Sequence, residues 1–326
     1  MAKRLNGNCP LAFLPSCLLA PSPFCLITKG VTPMYASIGN GTLLSGGFSS
    51  ISNGLQALGM ASIELGIDRE YRVAAIKPTA EKPNFVLASE SVVQEYKKHL
   101  EQNGVKISAI LMGNNFNAPD LAAELNWVIK TVQIADVLGI RAIRIDAIMS
   151  GEREMSLEKR QSHFAECVHK ILDSTASSDV AMGIENHGFQ GNDPDFLDGV
   201  FASVGSQRLG LTMDMGNFYW AGHPLDKVYK ILEHFAPVAK HTHVKNIAYP
   251  EAVRNKPRQL GWEYGKYVCP IPDGDIDIAK VAGFLKKAGY KGGLNIEDES
   301  LGKFTKEERA NILKRDAEHI KSILGE

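Results

Sequence analysis

At 326 residues the chain is long enough for one large α/β barrel with spare length, or for two small domains. A formal charge of −1 excludes the strongly basic balance expected of a binder of nucleic acid or of an anionic membrane, and no apolar run reaches the roughly 18 residues needed to span a bilayer. Five cysteines, odd in number and without a Cys-x-x-Cys spacing, argue against a disulfide framework or zinc knuckle and make the reducing cytoplasm the default compartment.

Residues 1–28 read as an N-terminal extension of uncertain role. Lys3-Arg4 followed by Cys9 to Ala20 has the charge and apolarity of a targeting segment, but Pro10, Pro15, Pro21 and Pro23 interrupt it. Export is the alternative if it is one. Phe24 to Thr28 and Leu43 to Phe48 are both candidates for the first strand. Gly39 to Gly47 reads as a flexible loop, because Leu44 stands where a third dinucleotide-fold glycine would be needed and Gly47 where a phosphate-loop lysine belongs.

From Ile51 onward, strand and helix alternate. A short helix to Leu58 ends at Gly59, and Ala61 to Ile67 is a strand. Ser91 to Gln102 is amphipathic, Val105 to Met112 is the next strand, and a helix from Asp120 to Leu138 stops at Gly139. Ile140 to Ile148 is a strand carrying Arg144 and Asp146, which could pair with each other. The helix Leu157 to Leu172 precedes a strand at Val180 to Ile184. A strand at Leu209 to Met213, the helix Pro224 to Phe235, a strand around His241 and the helix Ile276 to Ala288 follow, and Leu294 and the helix Lys306 to Leu324 close the chain. This alternation, with no break in composition, predicts a single-domain (β/α)8 TIM barrel over residues 29–326.

Glu185, Asp214, His243 and Glu297 each stand at the end of an apolar, strand-like run. The intervals from Glu185 to Asp214 and from Asp214 to His243 are equal, each about one strand-helix unit, so these side chains belong at the same mouth of the barrel. Glu297 follows after a Pro/Gly-rich insertion. A carboxylate at the end of a buried strand is costly without a partner, and one imidazole with three carboxylates describes a divalent-metal site. His241 and Lys245 share the parity of His243, which places His241 one layer deeper as a hydrogen-bonder and Lys245 at the rim within reach of a substrate oxygen. His187, Asn217 and Arg144 lie where they could orient substrate or a ligand. Glu64 ends an earlier strand on the same rim. The insertion from Tyr249 to Asp275 is expected to be a lid or substrate wall, with a homo-oligomer contact as the competing role.

Ile184-Glu185-Asn186-His187, Met213-Asp214-Met215-Gly216-Asn217, His241-Thr242-His243-Val244-Lys245 and Asn295-Ile296-Glu297, in that order, resemble the xylose isomerase-like TIM-barrel superfamily, most of all its sugar phosphate isomerase/epimerase branch. The similarity covers about residues 50–325. It implies that Glu185, Asp214, His243 and Glu297 hold one divalent ion, Mn2+ or Mg2+ with Co2+ or Zn2+ as alternatives, and that Glu185 and Glu297 double as the acid/base pair. The implied reaction is isomerisation or epimerisation of a sugar or sugar phosphate by proton transfer through an enediolate. A dehydratase or keto-glycoside lyase, with His187 or His241 as leaving-group acid, is one alternative; a non-catalytic sugar-binding barrel is another. The chain departs from the pattern at Asn217, where ketose 3-epimerases of this group carry a histidine. Met112-Gly113-Asn114 supplies none of the extra histidines of the three-zinc DNA-repair relatives, so no nucleic-acid partner is expected.

Overall fold

A computed structural model describes residues 34–326. Eight parallel strands close into a barrel: β1 (Tyr35–Gly39), β2 (Ser62–Gly66), β3 (Lys106–Leu111), β4 (Ala142–Ile145), β5 (Ala181–Glu185), β6 (Leu209–Asp214), β7 (Ala239–Val244) and β8 (Gly293–Ile296). Each strand pairs with its neighbours in sequence, and β1 pairs with β8 to close the sheet, Ile38 opposite Ile296. The strands are buried on both faces: Ile63, Ile143, Ile184, Leu211 and Ile296 are fully enclosed. Such apolar runs suit a parallel sheet wrapped by helices.

The helices begin and end where local chemistry dictates. Asp120 accepts a hydrogen bond from Ala123 N at 2.9 Å to open Leu121–Leu138, and Gly139 ends it at φ +73°. Thr305 and Glu308 form a capping box at the start of Lys306–Leu324. Between β5 and β6, Gly183 lies opposite Gly210, and a Cβ on Gly183 would come 2.8 Å from Thr212 N. The strands approach too closely there for a side chain.

The first strand differs from both candidates. Phe24 to Thr28 lies outside the described residues, as does the extension 1–28. Leu43 to Ser45 are the end of the helix Asn40–Ser45 and Gly46 to Phe48 form the turn after it, so the expected flexible glycine loop is also corrected: Leu43 is fully buried and packs in the space left by Gly54, whose Cβ would lie 2.6 Å from it. The strand is Tyr-Ala-Ser-Ile-Gly, whose small residues carry little apolar signal but fit where Ser37 Oγ meets Ser108 Oγ at 2.9 Å.

Two antiparallel ribbons have no counterpart among the expected elements. Arg72–Ala74 pairs with Asn84–Val86 after β2, and Asn246–Ile247 pairs with Val268–Cys269, which closes the base of the insertion. The insertion is then fastened to the loop after β6. Arg258 donates to Tyr219 O at 3.0 Å and His223 O at 3.2 Å and stacks over the Tyr219 and Tyr249 rings. Asp275 accepts from Tyr219 Oη at 2.9 Å and Tyr249 N at 2.8 Å. Such bonds make a wall.

Below that wall two buried carboxyls meet. Burial, reinforced by Asp298, pushes Asp316 up to about 9, far above an ordinary carboxyl, so the Asp298–Asp316 pair holds a proton at neutral pH. A raised folded pKa stabilises below the unfolded value and that contribution is lost as pH rises through about 9. Asp316→Asn mimics the protonated form. Its melting temperature relative to the native protein is therefore expected to climb from pH 5 to pH 9, and thermal melts that stay parallel across that range would count against the shared proton.

Candidate metal centre

All four expected ligands reach the carboxyl mouth of the barrel. Glu185 and Asp214 are the last residues of β5 and β6, His243 is near the end of β7, and Glu297 directly follows β8. One ligand atom from each lies within 4.8 Å of the others. Register explains the meeting: Asp214 is opposite His243, and Asn295 is opposite His243 from the other side.

Three of these atoms, Asp214 Oδ2, His243 Nδ1 and Glu297 Oε2, are buried and accept or donate no hydrogen bond. His243 Nδ1 lies 3.3 Å from Glu185 Oε1 and 3.3 Å from Glu297 Oε2. Lys245 Nζ is 3.1 Å from Asp214 Oδ2, an ion pair without hydrogen-bond alignment. Orphaned buried atoms are rare, and a convergent group of oxygens with one imidazole nitrogen is the donor set of a divalent cation. The residues present therefore fit such an ion.

Asp214, Glu185 and His243 are held from behind, whereas the Glu297 carboxylate accepts no hydrogen bond from the described residues. Asp214 Oδ1 accepts from Gly216 N at 2.8 Å and Asn217 N at 2.7 Å, leaving Oδ2 for the centre. Asn217 Nδ2 donates to Glu185 Oε1 at 3.2 Å. Asn217 thus ties two ligands together. Arg144 grips Glu185 Oε2 and also donates to Asp146 Oδ2 at 2.8 Å and Met112 O at 2.8 Å. The expected Arg144–Asp146 pair is present, but it is half of a buried bridge whose other half is Glu185. Its donors are engaged with protein, so Arg144 positions Glu185 and does not face substrate space.

The remaining residues fall around this set. His241 lies one layer deeper, as parity indicated, and bonds Glu64. Lys245 is buried instead of standing free at the rim, paired with Asp214, Glu297 at 3.5 Å and Glu299. His187, half-buried, sets Nδ1 3.2 Å from Asp146 Oδ1. Sequence reasoning missed Glu299, which accepts from Tyr264 Oη of the insertion at 2.6 Å and so joins the wall to Lys245. Its position two residues past Glu297 was the available signal.

Electrostatics separate the two glutamates. Burial would raise Glu185, but Arg144 and then His243 outweigh it and hold the carboxylate well below its usual range. Burial pushes Glu297 up to about 7 despite His243 and Lys245. Burial alone would lower His243, but Glu297, Glu64 and Glu185 hold it well above an ordinary imidazole.

A closed parallel barrel with polar and charged residues gathered at the carboxyl ends of its strands is the architecture that TIM-barrel enzymes share. The chain belongs to the xylose isomerase-like TIM barrel family, whose profile matches residues 54–323. An uncharacterized protein of Methanocaldococcus jannaschii is 26% identical over 162 residues, 48% of this chain and 45% of that protein, so the match spans less than half of the relative. Among solved structures, the IolI protein with a bound zinc atom superposes with a TM-score of 0.63 at 15% identity over 89% of this chain and 99% of that one. L-ribulose 3-epimerase gives 0.61 at 15% identity over 90% and 95%. Mannonate dehydratase from Streptococcus suis gives 0.61 at 13% identity over 89% and 94%. At these identities the structural likeness establishes the fold. No helix of the described residues is long and apolar enough to cross a membrane.

Proposed function

We propose that this chain is a divalent-metal-dependent isomerase or epimerase of a sugar or sugar phosphate, with Glu185 and Glu297 as its acid/base pair. The observation that carries the reading is the convergence of Asp214 Oδ2, His243 Nδ1 and Glu297 Oε2, buried and without hydrogen bonds, beside Glu185. A bound Mn2+ or Mg2+, or Zn2+ as in the IolI structure, would supply electrophilic polarisation of a sugar carbonyl. Glu185 and Glu297 approach the same point from β5 and β8, each 3.3 Å from His243 Nδ1. Arg144 keeps Glu185 ionised, ready to accept a proton from the carbon beside the carbonyl, while Glu297 titrates near neutrality and can return one. Lys245 and Asn217 hold the ligands in place, and Tyr264 walls the site. The neighbour L-ribulose 3-epimerase agrees with this class of reaction.

A second reading, elimination of a β-substituent, draws on the Asp146–His187 pair. His187 Nδ1 is engaged by Asp146, which leaves Nε2 as the free nitrogen of a side chain that is 43% exposed, a suitable leaving-group acid. Mannonate dehydratase shares the fold.

A screen of keto-sugars with and without phosphate, run in D2O with Mn2+ and followed by proton NMR, tests both. An epimer or isomer carrying solvent deuterium supports the first reading, an unsaturated keto product supports the second, and sugar binding without turnover rejects both. The metal itself is tested by Asp214→Asn. Mn2+ at 100 times its dissociation constant should stabilise the native protein by about 2.7 kcal/mol. The variant should show no thermal shift, and an equal shift in both proteins would remove Asp214 from the centre.

A further inference from the structure

Beneath the ligand set lies a carboxylate whose partners come from the opposite part of the chain. Glu64 lies in the middle of β2, not at its end as the sequence suggested, and is 2% exposed. Its Oε1 accepts from His243 Nε2 at 2.7 Å and from His241 Nε2 at 2.9 Å, and its Oε2 faces Asn295 Nδ2 at 3.4 Å. All three donors stand on β7 and β8. An imidazole has two nitrogens, and engaging one decides where the other points. With Nε2 on Glu64, His243 presents Nδ1 to Glu185 and Glu297. Flipping the ring would leave a buried carboxylate short of a charge-assisted bond, which is a costly state. His241 stands nearly perpendicular to His243, with an interplanar angle of 87°, and supplies the second bond to the same oxygen.

We propose that Glu64 is a positioning residue: from β2 it locks the His243 ring with Nδ1 toward the ligand set, and His241 keeps Glu64 in place. This rests on the reading of that set as a metal centre. A carboxylate behind a ligating histidine fixes ring orientation and raises ligand basicity, and its loss weakens metal binding by about 10- to 100-fold. Glu64, His241 and His243 could also be read as a separate cation site, since their ligand atoms lie within 4.8 Å of one another. The paired N–H···O contacts account for all three groups without an ion.

The test uses the full-length protein with Co2+ alone as probe. Glu64→Gln, which keeps the shape and removes the charge, and Glu64→Ala are expected to bind Co2+ about 10- to 100-fold more weakly while still taking up a single ion at saturation. Without any metal, the Nε2 protons of His241 and His243 should give slowly exchanging, far-downfield proton resonances in the native protein that move upfield or vanish in Glu64→Gln. Unchanged Co2+ affinity in both variants overturns the proposal. So does a second ion that disappears with Glu64, because Glu64 would then be a ligand. If the native protein takes up no Co2+ yet the downfield resonances respond to Glu64→Gln, the metal-centre reading fails while the lock on the His243 ring stands. Should Glu64→Ala not fold, Glu64→Gln carries both measurements.

Discussion

Glu297→Gln is expected to lower turnover of the sugar substrate by about 10²- to 10⁴-fold, the usual contribution of a positioned acid or base, while largely retaining the divalent ion. Of the four proposed ligand side chains, Glu297 is the most open, at 22% exposure against 3% for Glu185 and 0% for Asp214 and His243. It therefore borders the space a substrate must occupy. Gln keeps an oxygen for the metal and cannot carry the transferable proton. Steady-state rates paired with metal content separate the two functions. Undiminished exchange of solvent deuterium into substrate by the variant would remove Glu297 from the acid/base role, whereas loss of the ion together with the rate would make it chiefly a ligand.

Arg144→Met is expected to destabilise the fold by about 3–5 kcal/mol, because it strips the cation from two buried carboxylates at once. The Arg144 side chain is 8% exposed, and its partners Glu185 and Asp146 are 3% and 7% exposed. Solvent cannot compensate for the loss. Glu185 would rise from its depressed range and face Asp146 without the guanidinium between them. Urea unfolding gives the measurement. Arg144→Lys should fall between the two, since an ammonium restores charge but not the fork that meets Glu185 and Asp146 together. Adding Glu185→Gln to Arg144→Met should recover part of the deficit, and a single variant that unfolds at the native midpoint would show that the bridge contributes no net stability.

Much of the barrel is legible in the residues themselves. Leu121–Leu138 is readable because an N-cap aspartate and a left-handed glycine bracket an apolar helix, and β5 and β6 because short apolar runs end in a carboxylate and a turn. β1 is not, because Ala36 and Ser37 are small where the barrel is crowded, so its burial leaves little trace in hydrophobicity. The helix Asn40–Ser45 is hidden for a related reason: glycines that suggest a loop are here required by packing, as at Gly54 against Leu43.

By itself, the order of residues determined that Glu185, Asp214, His243 and Glu297 belong at one end of successive strands, and that His241, His243 and Lys245 point the same way. Strand periodicity and unit length suffice for both, since each is a property of neighbours along the chain. Only the tertiary structure decided that Glu64 takes both histidines, that Arg144 divides itself between Asp146 and Glu185, and that Tyr264 reaches Lys245 through Glu299. The Glu64 pairings cross the barrel, Arg144 bridges neighbouring strands, and Tyr264 joins the insertion to the segment after β8. These pairings depend on how far each strand is staggered when the sheet closes, and that stagger is set by all eight strands together and encoded in no single one of them.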